Sequence, residues 1–160
     1  MSRLDSFLRR LTAQHACLAD AARRVAAVPG PVFELGLGTG RSYDHLRHLF
    51  PDRDIFVFEH KISEDAAGMV PMSRLVVGDM RETLGTVRIA GPAALVHADI
   101  GSGDDSVDAV LAACLGDILP GLMANGGVVL ADRLLPGALE PLPLPEDVAP
   151  GRYFMFVNGV

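Results

Sequence analysis

From Pro31 onward, short apolar runs alternate along the chain with segments of mixed polarity. The runs are rich in Val, Ile, Leu and Phe without polar alternation, which is typical of strands buried on both faces of a parallel sheet. They predict strands at 32–36, 54–59, 73–78, 93–99, 126–131 and 152–158, with helices at 41–50, 63–70, 80–88 and 104–119. This alternation predicts an α/β fold, a doubly wound and mostly parallel sheet with helices on both faces.

Residues 2–28 predict one long helix, ended by Pro29-Gly30-Pro31. Its apolar positions follow steps of four and three: Leu4, Leu8, Leu11, His15, Leu18, Ala22 and Val25. The stripe indicates either a helix packed on the flank of the sheet or a dimerisation surface. We therefore expect an N-terminal helix at 1–30 that packs on a single domain at 31–160.

The C-terminal segment from Leu135 to Gly151 contains five prolines, which forbid a regular helix or a central strand. Only 152–158 predicts a further strand, so we expect a shortened C-terminal hairpin that lacks one strand. The exposed edge would be covered by the proline-rich segment or by a second subunit. That segment could instead fold over a substrate pocket as a lid. We expect a homodimer, through the helix stripe or through this edge.

Composition narrows the function of this chain of 160 residues. The net charge of −6 argues against nonspecific binding to nucleic acid or to an anionic membrane, and it favours small-molecule chemistry. Cys17 and Cys114 are too few for a disulfide framework. Charged residues interrupt the first 28 positions, and no apolar run is long enough to cross a bilayer. We expect a cytoplasmic protein.

A glycine-rich turn follows the first predicted strand, in the segment Val32-Phe33-Glu34-Leu35-Gly36-Leu37-Gly38-Thr39-Gly40. Glycine lets a ligand lie against the main chain, and the following helix presents free N–H groups. A dinucleotide fingerprint would place its third glycine at position 41, which is Arg41. The pattern E-x-G-x-G-x-G, which begins at Glu34, resembles motif I of the class I S-adenosylmethionine-dependent methyltransferases.

Acidic residues lie at or just beyond the ends of the next four predicted strands, at Glu59, Asp79, Asp99 and Asp132. Open α/β sheets bind ligands at the carboxyl ends of their strands, so these side chains converge on one edge. Glu59 lies where an acid accepts both ribose hydroxyls. Each acid alone is also common in turns and helix caps.

The resemblance implies a Rossmann-like enzyme that transfers a methyl group from S-adenosyl-L-methionine to a small-molecule acceptor. It implies that Glu34 lies near the methionyl ammonium, that Asp79 binds the adenine amino group and that Met80 packs on the ring. The candidate cofactor-binding residues are Glu34, Gly36, Leu37, Gly38, Thr39, Gly40, Ser42, Glu59, His60, Asp79, Met80 and Asp99.

Reaction chemistry is expected after the fourth strand, where His97 and Asp99 are the candidate catalytic residues. His97 is either a general base or a buried structural histidine. Some small-molecule O-methyltransferases hold a divalent metal with acids after strands four and five, as Asp99 and Asp132 would. Arg133 stands where another ligand is expected and opposes a cation, so we expect no metal requirement. In the alternative, Asp99 caps the site and Arg133 holds an anionic group of the substrate.

Three other functions are compatible with parts of the pattern. An S-adenosylmethionine-binding protein without transferase activity fits the short chain. An NAD-dependent oxidoreductase fits Glu59 but not the glycine spacing. A purely structural domain does not account for the converging acids.

Overall fold

The structure, a computed structural model, describes residues 1–86 and 91–159. In this part of the chain seven strands form one sheet, in the order β3-β2-β1-β4-β5-β7-β6. The strands are β1 (Val32–Leu35), β2 (Ile55–Glu59), β3 (Leu75–Val77), β4 (Ala93–Ala98), β5 (Met123–Ala131), β6 (Glu140–Leu142) and β7 (Phe154–Val157). The first five pair in parallel, and β7 is antiparallel to both of its neighbours. The predicted fold class is confirmed.

Four helices cover the two faces of this sheet in the described residues: α1 (Arg3–Arg24), α2 (Arg41–Leu49), α3 (Met80–Thr86) and α4 (Asp105–Ile118). Alternate residues of β1 enter different cores, because successive side chains of a strand point to opposite faces. Val32 packs with Leu18 and Leu46 of α1 and α2. Phe33 packs with Leu115 of α4 on the other side. This double burial is the reason why the strands lack polar alternation.

The N-terminal helix begins with a capping box, in which Ser2 and Asp5 bond reciprocally. Its buried residues are Ala13, Gln14, Cys17, Leu18 and Ala21, so of the predicted stripe only Leu18 and, just past the helix, Val25 are buried. Leu4 and Leu8 are 65% and 53% exposed. Only the C-terminal half of α1 packs on the sheet, so the first turns extend past it with their apolar side chains uncovered.

The helix predicted at 63–70 is wrong, because only one 3-10 turn forms there, at Glu64–Ala66. Gly68 adopts φ +78°, a left-handed conformation that ends a right-handed helix, and Pro71 follows shortly after. The helix predicted at 80–88 is present through Thr86, and its last two positions lie outside the described residues.

The expectation that the hairpin lacks one strand is also wrong. Residues Glu140–Leu142 form β6, which pairs with β7 and completes the sheet. Pro141 is compatible with pairing here because β6 is an edge strand, with a neighbour on one side only. The proline-rich segment thus shields β7, and it buries Leu135, Leu139 and Val148 in the process. With three residues, β6 makes the hairpin short but complete.

No helix among the described residues combines the length and the apolar composition needed to cross a bilayer.

Three histidines meet where α1 lies against α2. The rings of His15 and His45 are 4.9 Å apart, and those of His45 and His48 are 6.2 Å apart. Within the described part of the chain, His45 Nε2 is buried without a hydrogen-bond partner. Burial, together with the nearby His15 and His48, lowers the pKa of His45.

We predict that this cluster makes the fold less stable in mild acid. As the pH falls through the unfolded-state pKa of about 6.5, the unfolded chain takes up a proton that folded His45 does not. His45→Gln should therefore lose less unfolding free energy between neutral pH and pH about 5 than the wild type, as urea titrations would measure. His60→Gln, at an exposed histidine outside the cluster, is the control. Parallel pH dependences for His45→Gln and wild type would contradict the prediction.

Candidate active site

Gly36 and Gly38, in the turn after β1, are required for different reasons. Gly36 adopts φ +87°, and a Cβ there would collide with the carbonyl oxygen of Asp99, so the turn lies directly against the end of β4. Gly38 adopts φ +54°, and a Cβ there would meet nothing within 4 Å. Its missing side chain faces open space, as a ligand that lies on the main chain requires.

The carboxylate of Glu59, at the end of β2, holds this turn. It accepts hydrogen bonds from the backbone N–H of Leu37 at 2.6 Å and of Gly38 at 3.3 Å. Its other oxygen accepts from the N–H of His60 at 2.7 Å. The acid predicted to bind the ribose therefore also orders the main chain beside it.

The first cavity, of about 860 Å³, lies at the carboxyl ends of β1 to β4. Seven of the predicted residues line it: Gly36, Gly38, Glu59, His60, Asp79, Met80 and Asp99. The sequence did not predict the wall that α4 and the loop before it supply, which includes Ser102, Val107, Val110 and Leu111. This wall is largely apolar and would suit an aromatic base.

The second cavity, of about 530 Å³, lies beside the first. The two share the residues Gly36, Gly38, Asp99 and Gly101. Its other walls are α1 (Arg10, Leu11, Gln14), the turn and first residues of α2 (Leu37, Thr39, Arg41, Ser42), and a charged group (Asp105, Asp108, Asp132, Arg133). Gly40 does not line either cavity. A Cβ at Gly40 would collide with the Met69 sulfur. Among the described residues, 135–151 contribute nothing to either wall, so the structure does not support a lid there.

Asp79, after β3, is held as a carboxylate. Its oxygens pair with the Arg81 guanidinium at 2.5 Å and accept from the Arg81 backbone N–H at 2.9 Å. These hydrogen bonds lower the pKa of Asp79 to about 2. An ionised carboxylate is an acceptor only, and this suits an amino group as donor.

Arg133, which follows β5, pairs with two acids of the charged group. Arg133 bridges Asp108 at 3.0 Å and Asp132 at 3.2 Å. Asp132 also accepts the N–H groups of Ile100 and Gly101. In the two described ranges, no three His, Cys, Asp or Glu side chains are placed to hold a metal ion together. The absence of a metal requirement stays a prediction.

Glu34 and His97 lie away from both cavities, although both were predicted site residues. They are register partners in β1 and β4, and both are fully buried. His97 Nδ1 lies 2.6 Å from Glu34 Oε2, and the Ser42 hydroxyl donates to the other oxygen. Burial by itself lowers the pKa of His97, but the Glu34 carboxylate and, farther away, Asp99 and Asp132 raise it, and the net direction is upward.

These positions change the roles of the two residues. A general base must reach its substrate, and His97 does not line either cavity, so the geometry supports the structural alternative. The carboxylate of Glu34 has its partners inside the protein, and its contact with a methionyl ammonium stays a prediction. Asp99, by contrast, faces both cavities and pairs with Arg10 at 3.1 Å.

Sequence reasoning missed Arg10, Gln14 and Tyr153. Gln14 Nε2 donates to the Tyr153 hydroxyl at 2.8 Å and to Asp99 at 3.3 Å. The available signal was Gln14 itself, a polar residue among the small and apolar residues that α1 buries. The predicted stripe included His15 at this turn, which is exposed, and did not include Gln14, which is buried.

A Rossmann-like sheet, a glycine turn after β1 and acids at the ends of β2, β3 and β4 together define a class I S-adenosylmethionine-dependent methyltransferase. A family model described as S-adenosyl-L-methionine methyltransferase matches residues 1–158, and the chain belongs to this family. Its cofactor is S-adenosyl-L-methionine.

The solved structures agree. An S-adenosyl-L-methionine methyltransferase from Silicibacter pomeroyi DSS-3 is 38% identical, with a TM-score of 0.88 over 98% of this chain and 99% of that one. A TDP-rhamnose 3′-O-methyltransferase of calicheamicin biosynthesis shares the fold at 22% identity, with a TM-score of 0.55 over 89% and 78% of the two chains. An S-adenosylmethionine-bound amino pentose methyltransferase from Micromonospora echinaspora is 21% identical, with a TM-score of 0.50 over 81% and 57%. No curated protein sequence matches the chain.

We predict that Glu59→Gln weakens cofactor binding about ten-fold or more. The amide keeps the shape but removes the charged acceptor, and hydrogen bonds to charged groups contribute about 1.5–3 kcal/mol. Calorimetric titration with S-adenosylhomocysteine measures the effect. The matched control is Glu64→Gln, at an exposed carboxylate that lines neither cavity. Equal affinities of Glu59→Gln and wild type would place the ribose elsewhere.

Proposed function

We propose that this methyltransferase acts on a small-molecule acceptor, which enters the second cavity while adenosine occupies the first. The observation that carries the proposal is the wall that the cavities share, at Gly36, Gly38, Asp99 and Gly101. The sulfonium of S-adenosylmethionine lies between its nucleoside and its amino acid. A cofactor that spans this wall would present its methyl group at the boundary of the two cavities.

The reaction is a direct displacement. A lone pair of the acceptor attacks the methyl carbon, the carbon–sulfur bond breaks, and its electrons remain on sulfur as S-adenosylhomocysteine forms. A hydroxyl or amine acceptor releases a proton. Catalysis in such a reaction consists largely of alignment and exclusion of water. In this proposal the Asp99 carboxylate, at the boundary, orients the acceptor and receives its hydrogen bond.

The size and charge of the second cavity support a small acceptor. Its volume of about 530 Å³ is within the usual range of small-molecule pockets. The net charge of −6 disfavours nucleic acid and anionic membrane as partners. Both cysteines are free, which supports a place in the reducing cytoplasm.

Incubation with tritium-methyl S-adenosylmethionine and a cytoplasmic extract tests this proposal. The label should appear in the small-molecule fraction. Gly38→Val should abolish the transfer, because its side chain would project into open space that the cofactor needs and would strain the left-handed backbone. Gly151→Val carries similar strain at φ +88°, away from both cavities, and should retain transfer. Label in the nucleic acid or protein fraction would contradict the proposed acceptor class.

We also propose that the protein is a homodimer that pairs through the first turns of α1. Leu4, Phe7 and Leu8 are exposed there beyond the sheet, whereas the other candidate surface, β7, is covered by β6. Contiguous exposed apolar side chains commonly mark an interface, and a two-fold dimer is the commonest way to bury them.

Sedimentation equilibrium at micromolar concentration should therefore give the mass of two chains. Leu8→Glu should give the mass of one, because it places charge in the apolar contact. Met72→Glu introduces the same charge at a residue that is 83% exposed outside α1, and it should leave the dimer intact. A single-chain mass for the wild type at all concentrations would contradict the proposal.

A further inference from the structure

Four buried polar side chains form a continuous chain beneath the boundary of the two cavities: Glu34, His97, Tyr153 and Gln14. We call them the buried relay. The links measure 2.6 Å from Glu34 to His97, 2.8 Å from His97 Nε2 to the Tyr153 hydroxyl, and 2.8 Å from that hydroxyl to Gln14. Gln14 Nε2 also lies 3.2 Å from His97 Nε2, so these two side chains are in direct contact as well. The residues come from β1, β4, the position before β7, and α1.

Both ends of the buried relay reach cavity walls. At one end the Glu34 carboxylate accepts from the hydroxyl of Ser42, which lines the second cavity in the first turn of α2. At the other end Gln14 donates to Asp99, which lines both cavities. None of the three innermost members, Glu34, His97 and Tyr153, lines a cavity itself.

Stability alone does not account for this arrangement. Buried polar groups stabilise little more than well-packed apolar residues of similar volume, and they are costly when they lose a partner. What they add is direction, because each hydrogen bond restricts the orientation of the next side chain. In this relay the last side chain that is oriented is Asp99. Asp99 also pairs with Arg10, which lies one helical turn before Gln14 in α1.

We propose that the buried relay positions the amino-acid end of the cofactor, by fixing Asp99 and the Arg10–Gln14 turn of α1 at the cavity boundary. Its inner members are positioning residues that act through Asp99 and Ser42. This inference rests on the proposed function, in which adenosine fills the first cavity and the methionyl part crosses the shared wall.

Binding measurements with two nucleosides distinguish the adenosine part of the site from the amino-acid part. S-adenosylhomocysteine carries the amino-acid end, whereas 5′-methylthioadenosine lacks it. Tyr153→Phe removes only the hydroxyl that contacts both His97 and Gln14 at 2.8 Å, and it leaves the longer contact between those two side chains in place. We expect it to weaken S-adenosylhomocysteine binding about five-fold and to change methylthioadenosine binding less than two-fold, in calorimetric titrations. One lost hydrogen bond of ordinary strength corresponds to this range.

Tyr43→Phe is the matched control, because it removes the chain's other tyrosine hydroxyl, from α2 in the same core. It should leave both affinities unchanged. Gln14→Leu removes this contact together with the contacts of Gln14 to His97 and Asp99, so it should give at least as large a selective loss, including in the case that Tyr153→Phe does not fold. The double variant Tyr153→Phe/Gln14→Leu should lose no more affinity than Gln14→Leu alone, because without Gln14 the buried relay no longer reaches Asp99.

A merely structural role would lower the affinities for both nucleosides together, and that outcome would overturn the inference, as would unchanged affinities in Tyr153→Phe and Gln14→Leu. Failure of the proposed function has a different signature. In that case the wild type itself would bind S-adenosylhomocysteine no better than methylthioadenosine.

Discussion

The Glu34 carboxylate lies fully buried between apolar strands, and much of the site depends on satisfying it. A charged group in such a place is tolerated only when its oxygens find partners. The register of β1 against β4 places His97 directly opposite, and Ser42 reaches back from the first turn of α2. The opposite ring nitrogen of His97 then contacts Tyr153. One buried charge thus ties together two central strands, the C-terminal hairpin and the helix that follows the glycine turn.

The parts of the structure that the sequence predicted are those governed by local patterns. Apolar runs predict parallel strands because both faces of each strand are buried. Acids such as Glu59 and Asp79 lie at or directly after the ends of these runs, so their place at the carboxyl edge of the sheet is predicted as well. The turn at Gly36 and Gly38 needs left-handed backbone angles, which favour glycine, so the glycines in the sequence predict the turn.

The parts that escaped prediction depend on pairing between distant residues. Gln14 and Tyr153 are 139 positions apart, and no local pattern links the two segments. Which residues of α1 are buried depends on how far the helix extends past the sheet, and the periodicity of its leucines does not encode this. β6 was missed because proline argues against strands in general, whereas an edge strand needs hydrogen bonds on one side only.

The contact between Gln14 and Tyr153 also has a consequence for synthesis of the chain. The helix α1 leaves the ribosome before the sheet, yet part of the surface against which it packs belongs to β5 and to the residue before β7, which are made much later. That part of the buried face of α1 therefore stays uncovered, and Gln14 lacks its Tyr153 partner, while the inner strands assemble. Long-range closures of this kind are slow to form and leave apolar surface open meanwhile. The cofactor edge can be assembled from β1 to β4 early, but the wall that α1 gives to the second cavity is completed only when the last strands arrive.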